Sequence, residues 1–180
     1  MTRVILYIAT STDGFIADKD GGVDWLPHPT DDSDELGYQA LMEKISIVVM
    51  GSKSYLQILG FGDWPWPGKL TYVFTGQDLT SERDDIFFVR QDVQHFMEPF
   101  GVENIWLLGG AALIESFAEK NLIDECVITI IPKTLGEGIK LQLPYEDFTL
   151  KQTKHCSNDI VQHIYERSAR QSMPMVPDAS

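Results

Sequence analysis

Short, nearly pure apolar runs alternate along this chain with stretches of helical periodicity, and at two of the joints the run stops on glycine. One is Ile47-Val48-Val49-Met50-Gly51-Ser52-Lys53-Ser54-Tyr55; the other is Ile105-Trp106-Leu107-Leu108-Gly109-Gly110-Ala111-Ala112-Leu113. Each reads as a buried strand, a tight turn and a helix start. Apolar runs without alternation belong to strands covered on both faces, which calls for helices on each side of a mostly parallel sheet. Glycine lets a ligand approach the backbone closely, and the free N–H groups of a helix start attract anions. A pair of such joints fits a ligand with more than one anionic group, such as a dinucleotide. Either joint alone also fits a plain turn.

The same alternation runs through the first two thirds of the chain. Strands are expected over residues 3–9, 15–17, 47–50, 70–75, 86–90 and 104–108, and helices over 35–45, 53–59, 93–100 and 110–120. Asp34 is a candidate N-cap for the first helix. After Asp124 only strand patterns follow, over 125–131, 148–155 and 160–167, and the last two alternate in part. The expected fold is α/β and three-layered: a mostly parallel central sheet, helices on both faces, and antiparallel strands at the C-terminal edge. One domain over residues 1–168 and a flexible tail over 169–180 complete the organisation.

Charge narrows the partners. The chain has 14 Lys and Arg against 27 Asp and Glu, a net charge of −13. Nucleic acid or an anionic membrane requires clustered cations, so neither is expected as a partner. A small molecule and a nucleotide cofactor remain, since the latter needs only a few local cations. Cys126 lies in an apolar run and reads as a buried thiol rather than half of a disulfide with Cys156. No C-x-x-C or H-E-x-x-H is present, and no metal is expected. The N-terminus runs straight into a strand, and no apolar run nears the roughly 18 residues of a membrane span. A cytoplasmic protein is expected.

Several short motifs, in order, resemble the dihydrofolate reductase-like superfamily, and most closely the reductase domain of bacterial riboflavin biosynthesis. Ser11-Thr12-Asp13-Gly14-Phe15-Ile16-Ala17 is similar to that branch's opening "S-x-D-G-x-x-A", and Asp24-Trp25 to the tryptophan after its first loop. Met50-Gly51-Ser52-Lys53-Ser54-Tyr55 resembles "M-G-R-x-T-Y/W", Leu108-Gly109-Gly110 resembles the glycine pair before the cofactor-binding helix, and Pro132-Lys133-Thr134-Leu135-Gly136-Glu137-Gly138 matches "P-x-x-L-G-x-G".

The resemblance implies an NADPH-dependent oxidoreductase acting on a C–N or C–O bond of a small heterocycle, of 5-amino-6-ribosylaminouracil or dihydrofolate type. It implies that Ala9 and Ile16 hold and cover the nicotinamide. Gly51, Ser52, Lys53 and Ser54 match the phosphate-binding helix start, Thr75 and Arg90 the adenosine end, and Leu108, Gly109, Gly110, Ala111, Ala112 and Leu113 the pyrophosphate turn. Trp25 and Tyr55 are candidate substrate contacts, and Asp13 and Asp31 candidate catalytic carboxylates. Trp64 and Trp66 fit either a flat substrate or loop packing. The branch also implies a homodimer through the C-terminal strands. Ser52 departs from the family's arginine, and Leu26-Pro27-His28-Pro29-Thr30-Asp31-Asp32 stands where folate reductases carry their carboxylate, with no clean match. The deaminase zinc signature that often accompanies the branch is missing from this chain. The competing reading is an NADP(H)-binding module of the same fold without turnover.

Overall fold

The computed structural model describes residues 1–27 and 34–169. In chain order the elements are β1 (Arg3–Ser11), β2 (Phe15–Ala17), α1 (Tyr38–Lys44), β3 (Ile47–Gly51), α2 (Ser52–Leu59), β4 (Leu70–Phe74) and β5 (Ile86–Val89). There follow α3 (Val93–Met97), β6 (Asn104–Gly109), α4 (Ala111–Glu119), β7 (Glu125–Ile131), β8 (Ile139–Lys140), β9 (Phe148–His155) and β10 (Val161–Arg167). They agree with the expected pattern to within a few residues, because apolar runs and helical periodicity are local signals. Asp31, expected as a catalytic candidate, and the tail from residue 170 lie outside the described residues.

An eight-stranded sheet in the order β5-β4-β3-β6-β1-β7-β10-β9 forms the middle layer. From β5 through β7 every neighbouring pair is parallel. β10 then runs antiparallel to β7, and β9 antiparallel to β10. Strand alternation divides the core in two. Val4, Leu6, Val49 and Leu107 face Phe96 of α3 and Ile114 and Phe117 of α4. Ile5, Val48, Met50 and Trp106 face Leu41 of α1 and Tyr55 of α2 on the opposite side. The strands are therefore covered on both faces, as their unbroken apolar runs require.

Two local features differ from expectation. α1 begins at Tyr38 rather than residue 35, after Gly37 in the left-handed region at φ 74. Asp34 still serves the helix start, since its carboxylate accepts from the Gln39 and Ala40 N–H groups at 2.7 and 3.0 Å. The two residues of β8 pair with β2 as a separate small sheet. A two-residue strand has no period to read, so the sequence does not reveal it. Among the described residues no helix is long and apolar enough to cross a membrane.

Candidate functional site

Met50 at the end of β3 pairs with Gly109 at the end of β6. That register sets the two glycine joints side by side. A Cβ on Gly51 would lie only 3.7 Å from the Gly110 backbone nitrogen. Gly109 itself has φ +138, a conformation that L side chains rarely adopt. α2 and α4 both start here. Neither has a side-chain cap or an acidic residue in its first turn. Their leading N–H groups thus stay available to an outside acceptor, and their dipoles favour an anion there.

Both helix starts open on a cavity of about 1600 Å³ at the carboxyl ends of the parallel strands. That exceeds the roughly 300–1,000 Å³ of a pocket for one drug-sized ligand, leaving room for a dinucleotide with a second molecule beside it. Open parallel sheets place their ligands at this end. Every residue that the sequence assigns to the cofactor lines the cavity: Ala9 and Ile16, Gly51 to Ser54, Thr75, Arg90, and Leu108 to Leu113. The Thr75 hydroxyl accepts from the Gln77 N–H at 3.0 Å, which fixes the turn after β4. Arg90 pairs with Asp78, and both side chains are largely exposed. Such a surface pair is weak, so the guanidinium is free to be drawn to a stronger anion.

The catalytic candidate Asp13 sits elsewhere. It is absent from the cavity wall, and its carboxylate clamps two loops together. The Ser11 hydroxyl donates to it at 2.6 Å, and the Leu135 and Gly136 N–H groups at 3.1 and 2.8 Å. The Ser11 hydrogen bond, then those from Gly136 and Leu135, outweigh desolvation and hold Asp13 down to about 2. A carboxylate this acidic and this well satisfied is suited to holding a loop rather than to passing protons near neutral pH. The folded value lies below the ordinary ~3.9 of aspartate, so the ionised clamp stabilises the native loops above that pH. Its contribution is lost as pH falls through about 2. Asp13→Ala is expected to unfold at a higher pH in an acid titration followed by circular dichroism, with the gap to the parent closing below pH 2. Coincident titrations would contradict the clamp.

Neither substrate candidate lines the cavity. Tyr55 is buried against Trp64 and Phe88, with ring centroids at 5.8 and 5.5 Å. It faces the sheet because it lies on the inner side of α2. Trp25 is buried with Ile131 and Ile160, and its indole N–H has no partner among the described residues. Trp64 and Trp66 belong to packing: the chain of edge-on contacts Trp64–Trp66–Trp106 has centroid distances of 5.4 and 5.2 Å.

Phe74, beside the assigned Thr75, lines the cavity, and so do three further aromatic residues, Tyr7, Tyr38 and Trp106. Their rings meet at 6.1–6.4 Å. The sequence reading missed all three, although a signal existed. Tyr7 precedes Ala9 by two residues on β1, and Trp106 precedes Leu108 by two on β6, so each shares a sheet face with an assigned position. Tyr38 has no such cue, because its place depends on where α1 packs.

Comparison with known proteins gives consistent relatives. The RibD C-terminal domain family matches residues 73–162. The uncharacterised Bacillus subtilis (strain 168) protein YwjB is 35% identical over 143 residues, covering 77% of this chain and 82% of its own. YyaP of the same organism is 30% identical over 181 residues, covering 91% and 94%. A crystal structure of a putative riboflavin biosynthesis protein from Shewanella sp. PV-4 superposes with a TM-score of 0.80 at 31% identity, over 93% of this chain and 99% of that one. A Thermotoga maritima diaminohydroxyphosphoribosylaminopyrimidine deaminase/5-amino-6-(5-phosphoribosylamino)uracil reductase shares the fold, with a TM-score of 0.67 at 14% identity over 93% of this chain and 57% of that one.

Proposed function

We propose that this chain, which belongs to the RibD C-terminal domain family, is an NADPH-dependent reductase that reduces a small heterocycle. One observation carries the reading: two uncapped helix starts, brought together by the β3–β6 pairing, open on a single large cavity at the carboxyl ends of the sheet. A dinucleotide fits both its size and its paired anion sites. The riboflavin-biosynthesis name of the Shewanella relative supports a heterocyclic acceptor.

In this reading the N–H groups at the starts of α2 and α4 hold the pyrophosphate. Lys53 and Arg90 supply the local cations that a chain of net charge −13 otherwise lacks. Ala9 of β1 and Ile16 of β2, both on the cavity wall, position the nicotinamide and keep water off it. When bound, NADPH supplies hydride to an electron-poor ring carbon, and a proton goes to the adjoining heteroatom. The chain's own task is to orient the ring and exclude solvent, which requires no protein nucleophile. Asp13 takes no part beyond holding its loop.

Titration with NADPH, followed by the fluorescence of the four tryptophans, tests binding. Loss of NADPH absorbance with candidate heterocycles tests turnover. Saturable binding with consumption supports the reductase, and absence of binding refutes it. The non-catalytic module is favoured by one fact: Asp20 and Asp92 are the aspartates, and Glu119 the glutamate, that line the cavity among the described residues, and none is buried. Binding without consumption across the panel would select that reading. Dihydrofolate is expected to turn over weakly or not at all while NADPH still binds. Its reduction requires a proton as well as hydride, and no carboxylate buried among apolar side chains faces the cavity in the described residues. Robust dihydrofolate turnover would place a proton donor that this reading lacks.

We also propose that the chain forms a homodimer through its C-terminal strands. Among the described residues β9 ends the sheet with one edge unpaired, and Leu150 on it is exposed. Light scattering is expected to give twice the chain mass of 20.3 kDa, and the monomer mass would refute it.

A further inference from the structure

The cavity has two halves of different chemistry. Its basic lining residues Lys53, Arg90 and Lys120 come from α2, the end of β5 and the end of α4. The other half lies between the 20–26 loop, the start of α1, and the Gln57–Ile58 side of α2. Here the wall is Leu26, Ile58 and the ring trio Tyr7, Tyr38 and Trp106. Gln57 Nε2 donates to the Gly21 carbonyl at 2.9 Å and ties the loop to α2. In this half the charged lining residue among the described residues is Asp20. Lys53, one helical turn from Gln57, lines the cavity at the uncapped helix start where the cofactor's phosphates are assigned.

The polar atoms of the ring trio are not equivalent. Tyr7 donates its hydroxyl proton to the Leu36 carbonyl at 3.0 Å. The Trp106 indole N–H donates to the Tyr7 carbonyl at 3.1 Å. Tyr38 instead accepts from the Trp66 indole N–H at 2.8 Å, so its own proton must point elsewhere. With the oxygen anchored and Tyr38 on the cavity wall, that proton is left for another acceptor, such as a ligand. Planar aromatic walls favour a flat ring, by offset or edge-on contact. A phosphate dianion fits poorly there. It would lose its hydration beside the Asp20 carboxylate, with no lysine or arginine among the described lining residues of this half to receive it.

Resting on the reductase reading above, we propose that this half takes a flat, uncharged, nitrogen-containing ring without a phosphate, packed on Tyr7, Tyr38 and Trp106 and held by the Tyr38 hydroxyl. Substrate choice would then turn on the absence of phosphate, and Tyr38 would touch the acceptor ring directly.

Riboflavin and its 5′-phosphate, FMN, are matched probes: one ring system, with and without the phosphate. Each is titrated against the full chain, with and without saturating NADP⁺, and flavin fluorescence reads stacking. Riboflavin is expected to bind at least tenfold more tightly than FMN. Tyr38→Phe keeps the ring and removes the donor; it is expected to weaken riboflavin roughly threefold to tenfold, the effect of one hydrogen bond. Lys53→Ala is expected to weaken NADP⁺ and leave the riboflavin-to-FMN ratio unchanged. FMN binding as tightly as riboflavin, a ratio that collapses in Lys53→Ala, or no binding of either flavin up to about 1 mM, a free energy near −4.1 kcal/mol, would overturn the proposal. An unchanged riboflavin affinity in Tyr38→Phe would remove the hydroxyl from it. If NADP⁺ fails to bind while the flavin preference holds, the reductase reading fails and the ring site stands.

Discussion

Gly110→Val is expected to fold like the parent and to bind NADPH at least tenfold more weakly, a loss of about 1.4 kcal/mol. Gly110 has φ −78 and ψ −167, extended backbone that any residue adopts. A Cβ there meets only the Ser54 hydroxyl oxygen, at an ordinary 3.6 Å. The fold therefore tolerates the side chain. What the branched side chain does obstruct is the space over the α4 start, where Gly110 lines the cavity and the N–H groups are uncapped. Tryptophan fluorescence gives the affinity, and a melting curve on the same sample establishes folding. An unchanged affinity in a folded variant would move the phosphates away from this turn. The neighbouring Gly109 is a poorer test, since its φ of +138 makes any side chain strained and confuses binding with stability.

Gly138→Val should produce a large loss of stability. Gly138 has φ +153, and a Cβ built on it falls 2.3 Å from the Ala17 carbonyl oxygen. That oxygen belongs to the backbone of β2 and cannot turn aside. The unfavourable φ alone costs roughly 1–3 kcal/mol. For a chain of this size that lowers the melting temperature by about 2–12 °C, before the clash is counted. Gly136→Ala is the control. Its φ of +77 is also left-handed, but nothing lies within 4 Å of the added Cβ, so it should lose less. The damage extends to the cavity, because Ile16 and Ala17 of β2 and Ile139 of β8 form part of its wall. NADPH affinity is expected to fall in Gly138→Val and to change little in Gly136→Ala. Equal melting temperatures for the two variants would show that the 132–138 loop can leave β2 without cost.

The clamp at Asp13 shows where local reading stops. Its neighbours Ser11 and Gly14 are visible in the motif, and an aspartate before glycine fits a turn as well as a chemical role. Its other partners, Leu135 and Gly136, lie 122 and 123 residues away. Nothing in the spacing of the first loop states that its carboxylate is already satisfied. Tyr55 illustrates the same limit on a helix. The motif places it one residue after Ser54 in α2, but a step of one residue turns the side chain about 100° round the axis. Ser54 consequently lines the cavity while Tyr55 is buried in the core.

By itself the sequence determined which segments become strands and helices, and at which turns glycine lies between a strand and a helix start. Those properties depend on residues a few positions apart: unbroken apolar runs at 47–50 and 104–108, helical spacing after each, and glycine between them. Strand order was decided only by the tertiary structure. The placing of β3 beside β6, which brings two distant turns side by side, depends on pairings between segments far apart in the chain. So does the meeting of Tyr7, Tyr38 and Trp106, which come from β1, α1 and β6. A side chain's local pattern states which face it occupies. What stands across from that face is set by how the whole sheet closes its core, and the grouping of side chains around the cavity arises at that level.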